Sequence, residues 1–171
     1  MSLTGPAEII IGIDPGLTCT GWGVIKKQGT KLIYVESGRL RTKPAEPMAE
    51  RLAYLFDQLT AICEKFSVTR GAVEAGYVGT GAMSALKLGQ ARACAVLAIQ
   101  QATKQVMDVA PREVKMAVTG SGASSKQQVS YMVGQMLGIE FDRGEEDISD
   151  ALAIAITATS IRNPKLLAAR A

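Results

Sequence analysis

With 171 residues, 47% hydrophobic and 20% charged, the chain reads as one globular domain able to bury a real core, and no unbroken apolar run reaches the ~18 residues of a membrane span. The complete lack of histidine excludes Ser-His and Cys-His nucleophile pairs, an imidazole general base and the common zinc ligand sets. The net charge of +3 conceals an asymmetry: residues 140–150 (EFDRGEEDISD) carry −5 and leave +8 on the rest, as a polyanion partner plus a cation site would require, although on charge alone a solvated acidic loop is the simpler explanation.

Residues 1–8 (MSLTGPAE) read as a tail, 9–160 as the folded domain and 161–171 as a second tail. Isoleucines at 9, 10, 11 and 13 make a buried strand over 9–14, and Pro15-Gly16 then turns the chain. The alternation in 19–26 (CTGWGVIK) predicts a strand that pairs back as a hairpin, and 31–41 (KLIYVESGRLR) a third that closes an antiparallel meander. The period changes after KPAEP. Leu52, Leu55, Phe56, Leu59, Ile62, Cys63 and Phe66 recur at helical spacing, which predicts an amphipathic helix over 48–66. A short strand over 69–74 (TRGAVE), a glycine-rich turn at 76–81, a long helix over 82–104 and a last strand over 105–109 follow. Three helices complete the chain at 111–118, 125–137 and 147–160, the second opening with Ser125 and Gln128 in capping-box spacing. This order predicts an α/β domain with a mixed sheet.

The cysteines, Cys19, Cys63 and Cys94, are odd in number and widely spaced, which fits a reducing cytoplasm rather than a disulfide framework or a zinc site. The acids are more informative. Asp14 ends a strand of isoleucines, where a carboxylate is costly without a partner. Glu74 ends another strand, and Asp147 and Asp150 share one face at the start of the last helix, where Ala151, Ala155 and Ala158 form a small-residue stripe suited to close approach to the sheet. Four converging carboxylates cannot all stay ionised without a cation, and oxygen-only ligands select magnesium or manganese. Two such ions about 4 Å apart serve in-line displacement at a phosphodiester. Each acid taken singly has a structural explanation: Asp147 and Asp150 complement a helix dipole, Glu74 suits a solvated strand end, and many folds put an aspartate after a buried strand as at Asp14.

In this order and spacing, IGIDPGLTCTGWGVI, VE, SALKLGQARA and DISDALAIAI strongly resemble the RuvC-type Holliday junction resolvases, from about residue 9 to residue 159. The resemblance implies an RNase H-like fold, a five-stranded mixed sheet with an antiparallel meander plus parallel strands, flanked by helices. It implies a magnesium-dependent, structure-selective endonuclease that resolves four-way DNA junctions by paired symmetric nicks in recombination and repair, acting as a homodimer. Manganese is the alternative metal, with two ions per site, and the RuvA and RuvB branch-migration proteins are implied partners, with no membrane. Asp14, Glu74, Asp147 and Asp150 fall on the four catalytic, metal-holding acids; some relatives carry histidine where this chain has Asp147. Tyr77 falls on an aromatic position suited to stacking on an unpaired base. Lys115 and Lys126 align with lysines placed to contact DNA phosphate or assist the scissile group, and Lys87 and Arg92 lie in SALKLGQAR, where DNA contact competes with plain solvation.

The segment AGYVGTGAM departs from the family pattern of Gln-Val-Phe followed by polar, often basic residues, so sequence preference and junction opening are not carried over. TGSGASSK at 119–126 lacks the ending of a P-loop and reads as a loop before a capped helix. A sugar-kinase or actin-like phosphotransferase also starts with a strand, an acid and a glycine turn, but needs two such lobes, for which 171 residues without a repeat leave no room. A non-catalytic junction-binding module of the same fold is the remaining alternative.

Overall fold

The computed structural model describes residues 6–76 and 81–160. Five strands, β1 (Glu8–Asp14), β2 (Cys19–Gln28), β3 (Lys31–Arg41), β4 (Arg70–Glu74) and β5 (Val106–Val109), form one sheet in the order β3-β2-β1-β4-β5. The first three strands make the antiparallel meander, and β4 and β5 add parallel to β1. This is the RNase H-like arrangement expected from the sequence. β1 starts at Glu8, whose carboxylate pairs with Arg70 on the neighbouring β4 at 3.0 Å.

Helices α1 (Met48–Lys65) and α2 (Ala82–Thr103) cover one face of the sheet. Here Ile11 and Ile13 of β1, Trp22 and Val24 of β2, and Val73 of β4 meet Leu55 and Leu59 of α1 and Ala95, Ala98 and Ile99 of α2. Helices α3 (Pro111–Thr119), α4 (Lys126–Leu137) and α5 (Glu146–Ser160) cover the other, where Ile10, Ile25, Ala72 and Met107 face Val114, Val129, Val133 and most of α5. Ser125 and Gln128 cap α4 reciprocally, as their spacing predicts. α3 starts at Pro111, and the Glu113 carboxylate accepts from the Ala110 N–H at 2.7 Å.

By length and mean hydropathy, 1.2 over 18 residues, α2 passes as a membrane-crossing helix, which the absence of an unbroken apolar run did not anticipate because Lys87 and Arg92 interrupt it. Its buried stripe of Ala91, Cys94, Ala95, Ala98 and Ile99 seats it on α1 and the sheet, as in the core helix of a globular domain.

α5 lies unusually close to the sheet. An added Cβ at Gly12 would come within 2.1 Å of the Ala151 carbonyl oxygen and 2.4 Å of the Ala155 nitrogen, and one at Gly23 would strike Leu152. The alanine stripe is thus only half of the device; glycines on β1 and β2 are the other half.

Candidate active site

The strand register and the close seating of α5 bring the four acids together. β1 and β4 run parallel with Ile13 beside Val73, so the next residues, Asp14 and Glu74, emerge side by side at the carboxyl edge of the sheet. Across the antiparallel pair Asp14 faces Gly21, and an added Cβ there would meet the Asp147 carbonyl oxygen at 2.1 Å. The missing side chain is what lets the first turn of α5 drop onto the strand ends. Asp150 follows Asp147 by nearly one helical turn. Gly16, just past Asp14, passes so close to Cys19 that an added Cβ would lie 2.2 Å from its carbonyl oxygen, and Thr20 clasps the same turn by donating to the Gly16 carbonyl at 2.6 Å.

The electrostatics match this convergence. Burial, then the charges of Glu74, Asp150 and Asp147, push the Asp14 carboxyl from 3.8 to about 7, against the opposing pull of Lys126. Glu74 is raised as well, by burial first and by Asp150 second. Both effects expected from the sequence are present, and burial at the end of an isoleucine strand outweighs the mutual repulsion.

Two of the acids already have cationic company. Lys126 at the start of α4 places Nζ 3.1 Å from Asp150 Oδ2, and Asp150 in turn raises the Lys126 pKa. Asp147 Oδ2 accepts from Cys19 Sγ at 3.2 Å and lies 3.8 Å from Arg39 Nε, while the Arg39 guanidinium also donates to the Gly144 carbonyl. With Asp147 and Asp150 drawn to separate cations, no three acids or cysteines among the described residues are gathered tightly enough to hold one ion. The donor chemistry still fits a hard divalent ion: carboxylates from β1, β4 and α5, and an Asp14 whose pKa, raised to about 7, a bound cation would lower again.

The family model for the crossover junction endodeoxyribonuclease RuvC matches residues 10–158. The chain belongs to the RuvC family. Among relatives of that name, one from Azorhizobium caulinodans is 44% identical over 158 residues, covering 92% of this chain and 93% of its own. Another from Psychromonas ingrahamii is 41% identical over 149 residues, covering 87% and 85%. The solved structure of T. thermophilus RuvC in complex with Holliday junction substrate superposes with a TM-score of 0.83 at 31% identity, covering 89% of this chain and 93% of that one. The chain is therefore an endodeoxyribonuclease of the divalent-metal-dependent RuvC type.

Not every residue expected at the RuvC site reaches it. Lys126 does. Lys87 is exposed near the start of α2. Arg92 is not simply solvated: it pairs with Asp108 of β5 and donates from Nε to the Glu74 carbonyl at 3.1 Å, tying α2 to the strand end that carries the second acid. Lys115 is half-buried on α3 and forms no ion pair among the described residues. Tyr77 lies outside the described residues. Sequence reasoning missed Cys19, Arg39 and Tyr131. Tyr131, 66% exposed on α4, lines a cleft with Lys126, Glu146 and Asp150.

Proposed function

We propose that this protein resolves four-way DNA junctions by paired, symmetry-related nicks, with Asp14, Glu74, Asp147 and Asp150 as its catalytic and metal-holding acids. The observation that carries the reading is geometric: Asp14 and Glu74 end adjacent parallel strands, and the first turn of α5, which bears Asp147 and Asp150, is seated against Gly21 beside them, with the half-buried Asp14 carboxyl raised to about 7. Magnesium, two ions per site with manganese as a substitute, is the metal we assign; when bound it would lower the pKa of an attacking water and steady the leaving 3′ oxygen. The protein's own contribution is positional. β1 and β4 hold two acids on adjacent strands, α5 delivers two more, and Lys126 supplies an exposed positive charge beside them. Lys115, Lys126, Lys87 and, from its sequence position, Tyr77 are the residues we assign to DNA, whereas Arg92 is better suited to anchoring Glu74.

Two opposed cuts call for two identical sites, which a twofold dimer supplies. Met83, Leu86 and Leu97 lie exposed along one side of α2, away from its buried stripe, and support a second copy of this chain as the occupant of that face. Cooperation with RuvA and RuvB rests on family membership alone.

The test is nicking of a synthetic mobile four-way junction beside a linear duplex of the same sequence, in magnesium, manganese or EDTA, with wild type and Asp150→Asn. Paired nicks confined to the junction, requiring metal and lost in the variant, are expected. Tight junction binding without cleavage in either metal would leave a binding module and remove the nuclease reading.

A further inference from the structure

Arg51 is a buried cation without a counter-charge. It lies on the inner stripe of α1 with Leu55, Leu59 and Cys63, at 6% exposure. Its Nε donates to Thr42 Oγ1 at 2.8 Å and its guanidinium reaches Thr18 Oγ1 at 3.4 Å, while the Thr42 hydroxyl donates to the Leu17 carbonyl at 2.6 Å. All of these partners are neutral. Every Asp and Glu of the chain lies among the described residues, and none of them is within ion-pairing distance of Arg51. Arg39, Arg70 and Arg92, the next most sheltered of the ion-paired arginines, do have carboxylates, Asp147, Glu8 and Asp108. Leaving one buried charge unpaired is strongly unfavourable, so the omission at Arg51 calls for an anion from outside.

The route for that anion is open. Arg51 lines a cleft together with Gly16, Thr18, Pro44, Ser84 and Lys87, and no acid contributes to its walls. One side of the cleft is the turn that directly follows Asp14, which places the cleft next to the first of the four acids. The threonine contacts fix the guanidinium in advance, and a fixed, planar fork suits a phosphate better than a free ammonium does. Lys87 of α2, exposed and lining the same cleft, adds a second positive charge.

Resting on the resolvase reading, we propose that this cleft is a phosphate subsite that holds a backbone phosphodiester of the bound DNA strand, distinct from the one that is cut, with Arg51 and Lys87 as its cationic pair. The subsite sets the register of the strand on the acids without reading any base.

The experiment is a scan of four-way junctions in which single phosphates are replaced, one at a time, by uncharged methylphosphonates. Binding is measured for wild type, Lys87→Ala and Arg51→Lys; the first variant removes only an exposed side chain, and the second keeps the charge but loses the fork. Expected is one position, away from the nick, at which the substitution weakens wild-type binding about tenfold but costs Lys87→Ala and Arg51→Lys much less, with a salt dependence shallower by about one unit in Lys87→Ala. A wild type that nicks junctions, with the same penalty at every position in all three proteins, overturns the subsite alone and leaves Arg51 a structural residue. A wild type that binds no DNA overturns the resolvase reading and the subsite together.

Discussion

Gly12 of β1 and Ala151 of α5 approach so closely that a methyl group on the glycine would lie 2.1 Å from the alanine's carbonyl oxygen. The obstructing atoms are backbone, so no side chain can swing aside. Gly12→Ala must therefore lift α5, and with it Asp147 and Asp150, away from β1 and β4. Overpacking of this kind costs about 1–3 kcal/mol. Urea denaturation should show a loss toward the top of that range, and the folded fraction should have lost most of its junction nicking. A variant as active and as stable as wild type would mean that α5 does not need this seat.

Most of the fold was legible because each element announces itself locally. The isoleucine run, the helical spacing from Leu52 to Phe66 and the Ser125–Gln128 cap each place an element within a residue or two of where it lies. The four acids were legible for the same reason: each ends a strand or begins a helix. What surrounds them depends on register between strands, which no local pattern fixes. Asp14, Gly21 and Arg39 form one row across β1, β2 and β3, and that row puts Arg39 within reach of Asp147 although 108 residues separate them in sequence. Cys19 reaches Asp147 across a similar span. Arg92 read as a surface residue because its partners, Asp108 and the Glu74 carbonyl, lie on two other strands.

Lys126 separates stability from activity. Its side chain is 74% exposed and its ion pair with Asp150 faces solvent, so the pair adds no more than about 1 kcal/mol to folding. Lys126→Met should leave the urea midpoint nearly unchanged while single-turnover nicking falls by about 10²- to 10³-fold, as when one charged group near a reacting phosphate is removed. Junction affinity measured in EDTA should fall far less. Equal losses in affinity and rate would instead make Lys126 a simple DNA contact.

Arg92 and Asp108 should behave as a coupled pair. Each side chain is 21% exposed, and the arginine also holds the Glu74 carbonyl. Arg92→Gln leaves Asp108 without its cation and should cost about 2–3 kcal/mol, somewhat below the range for fully buried pairs. Adding Asp108→Asn should recover part of that stability in a double-mutant cycle. Nicking should stay depressed in the double variant, because the Glu74 strand end has still lost its tether. Additive losses with no recovery would show that the two residues do not share an interaction.

Asp14 gives the metal-free protein a pH dependence of defined sign. The folded protein holds this carboxyl at about 7, against an ordinary value of 3.8. Between those values the folded state keeps a proton that the unfolded chain gives up, so stability is full below about pH 4 and is lost as pH rises through 7. A shift of about three pH units caps the effect at about 4 kcal/mol. In EDTA the urea midpoint of wild type should fall between pH 5 and pH 8, and Asp14→Asn should flatten most of that slope and be the more stable of the two at pH 8. Magnesium should raise the wild-type midpoint at pH 8 by binding the ionised cluster, and do little for the asparagine variant. If both proteins lose stability equally with rising pH and respond equally to magnesium, Asp14 is not the group that a cation must neutralise, and the metal belongs with the other acids.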